Sequence, residues 1–224
     1  MPTTTLILVR HAESEHNVKY PKDVDKEEVQ DPRITETGHA QARIIAQLLD
    51  ERFGNKVTKV FVSPMLRTLQ TARYFCNCFP SLEVNITATL FEKTGLRCQR
   101  DVIDSIKPSE ILKTSHRCID HEPGNWYRKE MATETEDDVR QRGSKFLDEF
   151  VKGQETDETI VCFTHSLMMS ELTKVCTGLT NCKTFHNSNC SLTILRSEDQ
   201  GKTFEVLCQN YNPLPVGLQT GLQF

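Results

Sequence analysis

Nowhere do apolar residues run for the ~18 positions that a membrane-spanning helix requires, so no membrane span is expected. The amino end has no charged leader region, and its apolar run, Leu6–Val9, is short; no signal or transit peptide is expected. CxxC pairs are absent among the nine cysteines, and the closest pair is Cys76-x-Cys78. An odd, unpaired set of this kind does not build a disulfide framework and predicts a reducing, cytoplasmic setting. Excess charge is lacking too: the net charge of −4 offers neither a nucleic-acid nor a membrane surface. There is no internal repeat and no low-complexity linker, so 224 residues are expected to form a single domain. The acidic runs 23–28 and 134–138 read as solvated faces.

What is present is an alternation of strand and helix patterns. Thr5–Val9 is a short, β-branched apolar run, the pattern of a strand buried on both faces. Ile44, Ile45, Leu48, Leu49 and Phe53 recur at helical spacing, and Gly54 marks a stop. Val57–Val62 predicts a second strand. Ser63-Pro64 then reads as an N-cap with proline at the first helical position, opening a helix to about Cys78. Leu82–Thr87 predicts a weaker third strand, Ser109–Lys113 a short helix and Glu136–Val151 a longer one. Thr159–Phe163 predicts a fourth buried strand, Leu167–Cys176 its following helix, and Cys190–Leu195 with Thr203–Cys208 a terminal strand pair. This order predicts an α/β fold with a largely parallel sheet. Such sheets bind ligands beyond the carboxyl ends of their strands.

Those ends carry the chemistry. The first strand runs into Arg10-His11, the second into Ser63-Pro64-Met65-Leu66-Arg67, the third toward Glu92, and the fourth into Thr164-His165. Guanidinium forks match phosphate oxygens two at a time and offset charge on a phosphoryl group in transfer. A neutral imidazole attacks phosphorus and carries the group covalently. A second histidine, if protonated, neutralises that group, and a carboxyl group donates a proton to the leaving oxygen. No metal or other cofactor is needed in this scheme. A zinc set of His11, Glu13, His16 and His165 is the competing reading, but HxxxxH is one residue longer than the spacing of a helical pair. His16, His39, His116 and His121 otherwise read as ordinary structural or surface residues.

At these positions the chain resembles the histidine phosphatase superfamily, the phosphoglycerate mutase-like proteins. Leu8-Val9-Arg10-His11-Ala12-Glu13-Ser14 resembles the signature segment of that family. Asp31 to Ala42 resembles its turn into the first helix, Ser63 to Ala72 its second phosphate-pocket motif, and Phe163-Thr164-His165-Ser166 its second histidine motif. The resemblance implies a phosphoglycerate mutase-like three-layer α/β/α sandwich. It implies His11 as the phosphorylated nucleophile, with Arg10, Arg67 and His165 completing the phosphate pocket. Asn17 stands where a further phosphate-contacting asparagine is expected. Glu92, in Leu90-Phe91-Glu92, falls where the general acid is expected, with Asp101 and Asp104 in reserve. Ser166 after His165 departs from the His-Asp branch of acid phosphatases.

Two departures bear on substrate. A loop insertion at 18–33 carries Lys19, Lys22 and Lys26, suited to a lid or to an entrance for an anion, or to a plain surface loop. An irregular, substrate-covering region at 93–133 lacks the paired-arginine, proline-rich segment of mutases; Arg97, Arg100, Lys107 and Arg117 are its cations. Hydrolysis of a phosphorylated small molecule or phosphoprotein is therefore the expected activity. A phosphoglycerate mutase or a fructose-2,6-bisphosphatase-like sugar-bisphosphatase is the alternative on the same site. An inactive phosphate-binding scaffold is the third reading, disfavoured because all four pocket residues are retained. No partner protein and no oligomeric state is implied.

Overall fold

The computed structural model describes residues 1–18, 31–93, 107–122 and 134–221. Its elements run β1 (Thr4–Arg10), α1 (Glu36–Phe53), β2 (Lys59–Val62), α2 (Leu66–Cys76), β3 (Val84–Ile86), α3 (Pro108–Ile111), β4 (His116–Cys118), α4 (Glu136–Phe150), β5 (Glu158–Thr164), α5 (Ser166–Thr177), β6 (Leu192–Ser197) and β7 (Glu205–Tyr211). They form one seven-stranded sheet in the order β4-β3-β2-β5-β1-β6-β7. The first five strands in that order are parallel; β6 runs antiparallel to β1, and β7 antiparallel to β6.

The two-residue period of the strands sorts their side chains into two cores. Ile7, Val9, Val60, Val62, Val161 and Phe163 point to one face, where α1 and α2 cover them with Ala42, Ile45, Leu49, Leu69 and Phe75. Leu6, Leu8, Phe61, Ile160 and Cys162 point to the other, under Val139, Phe146 and Leu147 of α4 and Met168, Met169 and Leu172 of α5. Because both faces are covered, the central strands are continuously apolar. This is the α/β/α arrangement expected from the pattern.

Two expectations shift. The helix expected from Ser63 begins at Leu66. Ser63 does not cap it; the Asp31 carboxylate does, accepting from the Leu66 amide at 3.0 and 3.1 Å. Gly54 ends α1 as expected, as its C-cap at φ −45°, and a short 3-10 turn follows. The sheet also gains β4, an edge strand whose three residues, His116-Arg117-Cys118, show no apolar alternation. Arg117 there donates to Asn85 Oδ1 at 2.8 Å and pairs with Glu83 at 3.0 Å, so its partners are structural. Lys19, Lys22, Lys26, Arg97, Arg100, Asp101 and Asp104 lie outside the described residues.

Candidate active site

Strand register assembles the site. In the β1–β5 ladder Arg10 lies opposite Thr164, and the His11 amide continues the pairing by donating to the Thr164 carbonyl at 2.9 Å. Val62 of β2 lies opposite Phe163, and the Ser63 amide donates to the Phe163 carbonyl at 3.0 Å. Three adjacent parallel strands thus end together and deliver His11, Ser63 and His165 to one edge. The two imidazoles stand 5.2 Å apart, centroid to centroid. Both are buried, as are Arg10 and Arg67.

Hydrogen bonds set the tautomers. His11 Nδ1 is 2.7 Å from the Ala12 carbonyl, which only accepts, so Nδ1 carries the proton and the lone pair falls on Nε2. His165 Nε2 is 2.9 Å from Ser63 Oγ, which also accepts a long, 3.5 Å bond from the Met65 amide. With the Ser63 hydroxyl as donor to Nε2, His165 carries its own proton on Nδ1, the nitrogen without a protein partner among the described residues. Burial, with Arg67 and Arg10 adding to it, holds His11 well below the usual imidazole range; burial, Arg67, His11 and Arg10 do the same for His165. Both rings are therefore neutral near pH 7, and His165 offers its Nδ1–H as a donor. Burial lowers Arg10 to about 10, with Glu92 opposing and Arg67 assisting.

At this edge three buried donor nitrogens lack a partner among the described residues: Arg10 Nε, Arg67 Nη1 and His165 Nδ1. Buried donors in folded proteins nearly always find acceptors. Three such donors around one imidazole are chemically suited to an anion. The rest of Arg10 is anchored, Nη1 donating to the Asn187 carbonyl at 2.7 Å.

Asn17 sits in a short 3-10 turn, Glu15–Asn17. Its Oδ1 accepts from the Ser14 amide, the Ser14 hydroxyl and Asn189 Nδ2, at 3.0, 3.0 and 3.2 Å. That occupancy commits the Oδ1 end of the amide. Asn189 Nδ2 also donates to the His11 carbonyl at 3.1 Å. Glu92 follows the 3-10 turn Ala88–Leu90 and is half-buried; its influence on Arg10 puts it beside the same pocket.

Several contributors have no counterpart among the expectations. Thr71 Oγ1 accepts from the Ala12 amide at 3.0 Å and donates to the Arg67 carbonyl at 2.7 Å, tying the His11 loop to α2. Gln41 accepts from the Glu13 amide at 2.7 Å. Asp31, raised by burial to about 6 against the pull of Arg67, caps α2 one residue before Arg67. Asn187 and Asn189 arrive because β6 is antiparallel, so that its amino end shares an edge with the carboxyl ends of β1 and β5. The sequence signal was a polar run, His186 to Asn189, directly before a strand. Among the described residues no three His, Cys, Asp or Glu side chains gather as a metal set.

This is a mixed, mostly parallel sheet with a cluster of buried donors at its carboxyl edge. The model of the histidine phosphatase superfamily (branch 1) matches residues 6–210, and the chain belongs to that family. A phosphoglycerate mutase-like protein of Arabidopsis thaliana is 28% identical over 260 residues, covering 96% of this chain and 93% of that one. Among solved structures, the ecdysone phosphate phosphatase of Bombix mori, in complex with tungstate, superimposes with a TM-score of 0.64 at 16% identity, covering 95% of each chain. A phosphoserine phosphatase mutant from Entamoeba histolytica, in complex with phosphoserine, gives 0.59 at 21% identity, covering 92% of this chain and 96% of that one. At these identities the structural likenesses speak for the fold. No helix among the described residues is long and apolar enough to cross a membrane.

Proposed function

We propose that the chain hydrolyses phosphomonoesters through a phosphohistidine at His11. The observation that carries this reading is the set of three orphaned donors beside an imidazole whose Nδ1 is already committed. His11 Nε2 attacks phosphorus; the ester oxygen leaves with a proton from Glu92. Arg10, Arg67 and the His165 Nδ1–H hold the equatorial oxygens, joined by the Asn17 amide. Glu92, now ionised, takes a proton from water, which attacks the phosphohistidine and releases inorganic phosphate, returning His11 neutral. A dianionic phosphoryl group entering the pocket draws the pKa of His165 upward, while His11 stays neutral and keeps its Nε2 lone pair for the attack.

The substrate class is a phosphorylated small molecule or phosphoprotein, and the cytoplasm is the setting, since all eight described cysteines are free thiols. The named relative, a phosphoglycerate mutase-like protein, keeps mutase activity as the second reading. Hydrolysis of p-nitrophenyl phosphate in excess EDTA, with an acid-labile, alkali-stable radiolabel trapped on the protein and lost in His11→Ala, is the expected result. Hydrolysis abolished by EDTA, or retained in His11→Ala, refutes the mechanism. Transfer between phosphoglycerates faster than release of phosphate selects the mutase.

A further inference from the structure

We propose that Arg142, in the middle of α4, is the positioning residue that sets Glu92 over the phosphate pocket; the inference rests on the reading of Glu92 as proton donor. Arg142 is 15% exposed and spends its donors in two directions. Nε and Nη2 fork onto the Glu134 carboxylate at 2.7 and 2.9 Å. Nη1 donates to the carbonyls of Thr89 and Phe91 at 2.8 and 3.2 Å. The guanidinium plane lies over the Phe91 ring, 3.8 Å from its centroid. Phe91 is buried and is the residue before Glu92.

The carbonyl between those two is held as well. Thr164 Oγ1, one residue before His165, donates to Leu90 at 2.7 Å. Three successive carbonyls, 89, 90 and 91, are thereby fixed from α4 and β5. Upstream, the Asp120 carboxylate accepts from the Ala88 amide, the Thr87 hydroxyl and the Thr89 amide at 2.9, 2.7 and 3.2 Å. The clamps end at Phe91, one residue before Glu92, whose charge acts on Arg10 and whose Oε1 accepts from the Lys93 amide at 3.0 Å. A loop carboxylate that only faced solvent would need no such anchoring. Proton donation does, because a misplacement of about 1 Å costs on the order of 100-fold. Lysine has the charge but neither the fork nor the flat face that stacks on Phe91, so it cannot replace Arg142.

The role predicts a dependence on leaving group that a merely stabilising contact would not produce. Nitrophenolate departs with little help from an acid, whereas an alkoxide needs a proton. The experiment measures kcat/KM of the full chain on p-nitrophenyl phosphate and on glycerol 2-phosphate, with vanadate inhibition as a check on the pocket. Glu92→Gln is expected to lose at least tenfold more on the glycerol ester than on the nitrophenyl ester. Arg142→Lys is expected to show the same contrast, at about three- to tenfold, with vanadate inhibition within twofold of the wild type. Glu134→Gln keeps Arg142 and weakens its fork; it is expected to show the contrast in the same direction, and it serves where Arg142→Lys folds poorly. Equal losses on both esters in Arg142→Lys and Glu134→Gln, beside a clear contrast in Glu92→Gln, overturn the role of Arg142 and leave Glu92 standing. Absence of the contrast in Glu92→Gln overturns the proton-donor reading and this inference with it.

Discussion

Replacing Ser63 by alanine isolates the tautomer argument, because it removes one oxygen and almost no volume. His165 is fully buried, and Ser63 Oγ is the partner of its Nε2 at 2.9 Å. Without that partner the ring has two courses. It keeps the proton on Nδ1 and leaves Nε2 buried and unpaired, at a cost of about 1–3 kcal/mol. Or it moves the proton to Nε2 and turns a lone pair on Nδ1 toward the phosphoryl oxygens. The second course forfeits a hydrogen bond to a charged acceptor, worth about 1.5–3 kcal/mol. At 1.36 kcal/mol per decade, kcat/KM falls roughly 10- to 150-fold. The affinity for vanadate falls in parallel, since it uses the same donor. Stability falls by about 1 kcal/mol, which is about 2–4 °C in a chain of this size. Steady-state kinetics with p-nitrophenyl phosphate, vanadate inhibition and thermal unfolding measure the three quantities; the nitrogen-15 shifts of His165 report the tautomer directly. A variant with kcat/KM and vanadate inhibition within twofold of the wild type, but a lower Tm, would make Ser63 a structural residue and refute the reasoning.

Two further outcomes follow from the same geometry. His11 and His165 are held well below the ordinary value of about 6.5, so above pH 6.5 neither folded nor unfolded chains protonate them, and below it only the unfolded chain does. Stability present at pH 7.5 is therefore lost as pH falls below 6.5, by up to about 2.7 kcal/mol per pH unit for two protons; Asp31, whose carboxyl is raised to about 6, offsets part of this between pH 6 and 4. Urea midpoints that do not drop between pH 7.5 and 5.5, or that drop equally with saturating vanadate, contradict this. Gly38 is required by a close approach: a Cβ there would stand 2.2 Å from the Glu13 carbonyl oxygen. That carbonyl also accepts from the Thr35 amide, so it cannot retreat freely. Gly38→Ala is expected to cost at least ~2 kcal/mol by overpacking, a Tm lower by about 4–8 °C, and an unchanged Tm would show that the His11 loop yields.

What was legible in the sequence, and what was not, divides along sequence locality. Apolar strand runs are local, and a parallel strand delivers whatever follows it to the sheet's carboxyl edge; Arg10, His11, Arg67 and His165 needed no more than that. Asn187 and Asn189 precede a strand, and they reach the same edge only because β6 reverses direction, which no short window reveals. Ser63-Pro64 has the composition of a helix start, yet the hydroxyl is claimed by His165, 102 residues away, and the capping falls to Asp31. Glu134 lies in an acidic run whose neighbours are exposed, but Arg142 draws its carboxylate inward to 11% exposure. At Ser63 a long-range polar partner outcompeted a local preference, as tertiary context commonly does; at Glu134 the partner is only eight residues on, hidden in a run that reads as solvated.

The pocket also shows why so many ordinary hydrogen bonds surround so few reacting groups. Two guanidinium groups and two imidazoles gathered in a buried space repel or desolvate one another, as the lowered values of Arg10, His11 and His165 register. Each orphaned donor adds a cost of about 1–3 kcal/mol. The arrangement persists because it is overdetermined from outside. Arg10 is held by the Asn187 carbonyl, His11 by the Ala12 and Asn189 contacts, the Arg67 carbonyl by Thr71, and His165 by Ser63. These anchors come from β1, α2, the end of β2 and the turn before β6, so no single element can relax without breaking bonds to another. A phosphoryl group supplies the negative charge and the acceptors that the donors lack. Binding then lowers the energy of a site already in place, and little of the interaction is lost to rearrangement. The same logic extends to Glu92, which lies on a loop rather than at a strand end: what the sheet does for His11 and His165, the clamp of Arg142, Thr164 and Asp120 does for the carboxylate.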